Sequence, residues 1–111
     1  MIDWDRVCAL QSEVGAEDFD EVIELFLEEV DGEIDGLPGS PRETLAERLH
    51  FLKGSALNLG FRKFSELCRD GESKVAGSDT VDVPGLVACY QQSRAYFLNE
   101  VAERTSDQSK L

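Results

Sequence analysis

The sequence predicts an all-α protein, an antiparallel up-and-down four-helix bundle with a short additional N-terminal helix. Apolar residues recur at steps of three and four along almost the whole chain, which is the spacing of a helical face. Breakers such as Gly15, Pro38-Gly39, Gly60 and Gly77 cut this pattern into segments joined by short loops, and short loops make consecutive helices antiparallel neighbours. The one strand-like stretch, Thr80 to Val83, is too short and too close to Pro84 to build a sheet.

A short first helix is predicted from Asp3 to Glu13, with Trp4, Val7, Cys8 and Val14 inward and Gly15 closing it. The second carries Phe19, Val22, Ile23, Phe26, Leu27, Val30, Ile34 and Leu37 on one stripe, and Asp18 with Glu21 reads as a capping box at its start. The third starts at Ser40 as cap, Pro41 in the first turn and Glu43 completing the box. Leu45, Leu49, Leu52, Ala56 and Leu59 form its core stripe, and Gly60 is a natural C-cap. The fourth turns Phe64, Leu67, Cys68, Gly71 and Val75 inward and stops near Gly77. After a turn over 78–84 with a cap at Asp82, the fifth buries Leu86, Tyr90, Phe97 and Val101 and ends near Arg104.

The chain has 111 residues, which suits one domain: residues 1–104 as the bundle and 105–111 as a frayed tail. No run of about 18 apolar residues exists, so no membrane-spanning helix is expected. Met1-Ile2-Asp3-Trp4-Asp5 has neither a basic nor an apolar region of the signal-peptide kind. Cys8, Cys68 and Cys89 are odd in number and widely spaced. They read as small buried residues in a reducing cytoplasm rather than as a disulfide framework or zinc site.

The formal net charge is −12 and unevenly spread. Residues 1–47 hold 15 Asp/Glu against two Arg, whereas residues 48–111 hold eight acids against nine Lys/Arg. Neither half offers the basic footprint that nucleic acid or an anionic membrane surface demands. The ten acids from Glu17 to Asp35 form a solvated helix face, or alternatively the surface of a non-catalytic helical adaptor that binds a basic partner.

One histidine restricts the chemistry. At about 100° per residue, His50 falls roughly 130° from the centre of the third helix's leucine stripe and faces solvent. Lys53 and Gly54 share its face at i+3 and i+4, and Leu57 continues that strip. A mid-helix glycine costs about 1 kcal/mol relative to alanine, so room beside His50 is one compensating reason for it. Glu47 and His50 match half of a di-iron motif, which needs two such halves. No His-Glu-x-x-His zinc motif and no Gly-rich phosphate loop occur, and a triad drawn through Ser55 has no nucleophile elbow. Autonomous catalysis and a metal site are therefore not expected.

His50-Phe51-Leu52-Lys53-Gly54-Ser55-Ala56-Leu57-Asn58-Leu59-Gly60 resembles the His-x-x-Lys-Gly-Ser…Leu-Gly signature of histidine-containing phosphotransfer (HPt) domains. The resemblance implies a four-helix bundle in which His50 accepts a phosphoryl group from a receiver-domain aspartate, or from a kinase, and passes it to a response-regulator aspartate. It implies that Lys53 stabilises the phosphoryl oxygens, that Gly54 leaves room for phosphate and receiver, and that Leu57 is a docking candidate. Many such domains carry Gln where this chain has Glu72, 22 residues after His50, to hold the imidazole. The implied partners are receiver domains and a sensor histidine kinase. No cofactor is implied on this chain, Mg²⁺ being expected on the receiver, and a cytoplasmic monomer is the simplest expectation.

Overall fold

Each apolar stripe becomes the buried face of one helix. The computed structural model describes residues 1–109, and the elements among them are α1 (Trp4–Val14), α2 (Ala16–Gly36), α3 (Arg42–Leu59), α4 (Arg62–Ala76) and α5 (Val83–Ser109). The described residues contain no strand. Helix α3 packs most closely on α4, and also meets α1 and α2, while α5 meets α4 and α1. The shared core holds the five predicted apolar residues of α3, together with Phe61, Phe64, Tyr90 and Phe97 at no more than 2% exposure. The Trp4 ring stacks on Phe97, centroids 5.9 Å apart, and so closes one end of this aromatic cluster.

Two latches set the α3–α4 pair. At the turn between them, Gly60 has φ +83°, and a Cβ there would lie 2.7 Å from the Asp3 carbonyl oxygen. Asp3 N–H donates to the Gly60 carbonyl at 2.7 Å, while the Asp3 carboxylate caps α1 by accepting from Arg6 N–H. At the other end, the Arg42 guanidinium donates to the carbonyls of Lys74, Val75 and Asp79. Lys74 and Val75 belong to the last turn of α4, whose carbonyls lack intrahelical partners, and Arg42 adds to the backbone bonds they accept from Asp79 and Ser78. The start of α3 therefore lies beside the end of α4, and the two helices run antiparallel.

Several expected boundaries and burials are corrected. The second helix begins at Ala16, after Gly15 at φ +90°, so Asp18 and Glu21 lie inside it and cap nothing. Asp18 already donates its N–H to the Gly15 carbonyl, and its charge complements the helix N-terminus instead. The third helix begins at Arg42 with Pro41 as the capping residue. The Ser40 hydroxyl turns back to donate to the Gly36 carbonyl, sealing the end of α2. Cys8, Trp4 and Val14 are only half-buried; Val7 and Leu10 bury the inner face of α1. Helix α5 continues past Arg104 to Ser109: Thr105 is buried and its hydroxyl donates to the Val101 carbonyl, so polar composition alone does not stop it. Residues 110–111 of the expected tail lie outside the described residues. The Asp82 cap of α5 is present, its carboxylate accepting from Gly85 N–H at 3.0 Å.

Candidate functional site

The site begins with residues that never touch it. Leu49 and Leu52 are 0% exposed and Ala56 is 2% exposed, which fixes the rotation of α3 about its axis. Residues 50, 54 and 57 must then point outward, and the His50 side chain is 75% exposed. Ser55 is buried on the opposite side of the helix, so a triad through Ser55 and His50 has no geometry.

Gly71 brings α4 up to this face. A Cβ at Gly71 would lie 3.0 Å from Leu49 Cδ1, tighter than ordinary packing, so glycine lets α4 sit against the Leu49 side chain without displacing it. One residue on, Glu72 reaches α3. Its Oε2 stands 3.3 Å from His50 Nδ1, and its Oε1 stands 2.9 Å from Lys53 Nζ. The carboxylate thus bridges the imidazole and the ammonium. Burial opposes ionisation of Glu72, but hydrogen bonds from Lys53 and His50, and their charges, hold its pKa below the usual value. Among the described residues, Nε2 of His50 has no hydrogen-bond partner.

The glycine at 54 has a different role from that at 71. A Cβ at Gly54 would meet nothing within 4 Å, so no packing inside this chain requires glycine there. The open space beside His50 is available to a group from outside. Leu57 is 57% exposed on the same strip, as the sequence spacing implied.

Two features escaped the sequence. Phe51, next to His50, is 40% exposed and lines a shallow depression with Glu33, Thr44, Glu47 and Arg48. Its position off the leucine stripe was the available signal. The Lys53–Glu72 ion pair was the other, and no spacing rule within one helix reports a contact across two. One turn before Glu72, Cys68 is wholly buried, and desolvation pushes its thiol up to about 12. Among the described residues no group of three or more His, Cys, Asp or Glu is placed to hold a metal ion, and no helix is long and apolar enough to cross a membrane.

An exposed imidazole held at one nitrogen and bare at the other, beside an ammonium and a glycine gap, suits a group that must receive and release a small anion. The family model for the Hpt domain matches residues 21–103, well over half of the chain. The chain belongs to the Hpt domain family, whose members carry out phosphotransfer in two-component signalling. A search of curated proteins and a search of solved structures each return no match.

Proposed function

We propose that this chain is a phosphorelay intermediate, a phosphocarrier rather than an enzyme, in which His50 takes a phosphoryl group from a receiver-domain aspartate or a kinase and delivers it to a response-regulator aspartate. The observation that carries this reading is the asymmetric imidazole: Nδ1 lies against Glu72, while Nε2 has no hydrogen-bond partner among the described residues on a side chain that is 75% exposed, with Gly54 one turn further along α3. In the neutral ring, a proton on Nδ1 donates to the carboxylate and leaves the lone pair on Nε2. That lone pair attacks phosphorus in line, the P–O bond to the donor breaks, and its electron pair returns to the donor aspartate. Positioning and charge stabilisation supply the rate. The Lys53 ammonium meets the phosphoryl oxygens through charge-assisted hydrogen bonds.

In this reading the four longer helices form an up-and-down antiparallel bundle with α1 across one end, and Leu57 lies within the receiver's footprint. Mg²⁺ belongs to the acidic pocket of the receiver, and the protein works as a cytoplasmic monomer. Incubation with a phosphorylated receiver tests the proposal. A carrier acquires an acid-labile, alkali-stable phosphate on His50, whereas a structural adaptor that recognises a basic partner through α2 acquires none.

A further inference from the structure

Glu72 is placed to do more than orient a ring. In the transfer written above no proton has to leave: Nε2 gains phosphorus while Nδ1 keeps its hydrogen, so the ring becomes a phosphoimidazolium carrying one positive charge. That charge develops 3.3 Å from the Glu72 carboxylate, which remains ionised because Lys53 and His50 hold it so. Opposite charge at this range favours the charged ring. Phosphorylation also sets two anions, the phosphoryl group and Glu72, in competition for the single Lys53 ammonium. As Lys53 turns towards phosphate, the carboxylate is left facing the ring proton alone.

We infer that Glu72 is a positioning residue that retains the Nδ1 proton of phosphorylated His50 and so makes it a labile, donor-competent species. Retention matters in the outgoing step. The P–N bond breaks with its electron pair returning to Nε2, and a ring that still carries its Nδ1 proton leaves as neutral imidazole. A ring that has lost that proton must leave as imidazolate, a far poorer leaving group. Glutamine at this position would orient the ring equally well, because its amide oxygen also accepts a hydrogen bond, but it would supply no charge.

The surrounding charges do not duplicate this effect. On α3, Glu47 and Lys53 flank His50 at i−3 and i+3, and Arg48 is drawn away by Glu33 of α2 at 2.8 Å. On α4, Arg69 lies at i−3 from Glu72, and the buried Cys68 thiol remains protonated through neutral pH. From α1, Arg6 is engaged by Glu13 and the Asn58 carbonyl. Glu72 is the carboxylate in contact with the imidazole.

The inference rests on His50 being the acceptor, and one experiment separates the two claims. The whole chain and its Glu72→Gln variant, checked for equal helicity by circular dichroism, are phosphorylated with phosphoramidate and followed by phosphorus NMR between about pH 5 and 9. The ring-protonation midpoint of phosphorylated His50 should lie about one pH unit or more higher with Glu72 than with Gln. Near the upper end of that range the phosphate should decay, and transfer to a receiver, several-fold faster in the parent protein. Labelled proteins with coincident midpoints and decay rates would overturn the role of Glu72 and leave the acceptor untouched. Absence of label on His50 in both proteins would overturn both.

Discussion

His50 and Glu72 stand level across the α3–α4 pair, Nδ1 3.3 Å from Oε2, each eleven residues from Phe61 in the turn between the helices. In an antiparallel pair, positions equidistant from the turn share a level, so this contact follows from where the loop falls. Glu72→Leu removes both the charge and the acceptor. Transfer to and from a receiver is expected to slow by about tenfold or more, because an unheld imidazole rarely points Nε2 in line. Unfolding should change little, since the side chain lies at the rim. Rapid-quench kinetics beside a thermal melt checks both halves.

Lys53→Ala should slow transfer or shorten the life of the phosphorylated state without unfolding the bundle. The Lys53–Glu72 pair is partly exposed, with side chains at 28% and 25%, so its loss costs under about 1 kcal/mol. A large drop in the denaturation midpoint would mean that Lys53 is structural.

Gly54→Gln separates stability from function in opposite directions. With nothing within 4 Å of the added Cβ, helix propensity should dominate and the fold should gain roughly 0.5 kcal/mol. The same side chain fills the gap beside His50, so receiver-dependent transfer should fall while labelling by small phosphoramidate persists. Normal transfer kinetics with a receiver would refute the steric role.

The alkaline limb of stability has a calculable sign. The Cys68 thiol is raised from 9.0 to about 12 by desolvation first, and the Tyr90 hydroxyl is raised by burial and by its hydrogen bond to Asp31. Above the ordinary thiol range the unfolded chain binds fewer protons than the folded one, so stability falls as pH rises. Cys68 should contribute roughly 1 kcal/mol of loss per pH unit between about pH 9 and 12, with Tyr90 adding to it above about pH 10. Urea melts across that range should show a steadily falling midpoint, and Cys68→Ala should flatten its lower part. At neutral pH, thiol reagents should modify half-buried Cys8 well before Cys68.

The core and the outward placement of His50 were legible because both are periodic properties of single helices. Leu45, Leu49, Leu52, Ala56 and Leu59 announce the buried face of α3, and His50, Gly54 and Leu57 fall off it, on the exposed side. Helix starts were less legible. Asp18 and Ser40 are good caps in isolation, but Gly15 starts α2 earlier and Ser40 bonds backwards to Gly36, choices made by the neighbouring turn. Polar composition predicts an end of α5 near Arg104, whereas the helix runs on to Ser109 with Thr105 buried and its hydroxyl bonded to the Val101 carbonyl. What the spacing could not give was the second half of the Glu72 bridge. Contact with Lys53 depends on how closely α4 approaches, and that depends on Gly71 against Leu49.

The central claim is that His50 carries the phosphate. The decisive measurement is phosphoryl acceptance from a phosphorylated receiver by the parent chain and by His50→Gln, with the label located by mass spectrometry under alkaline conditions. Because the side chain is 75% exposed, the variant should fold within about 0.5 kcal/mol of the parent, and it should take up no label. A folded His50→Gln protein that still became phosphorylated would contradict the account.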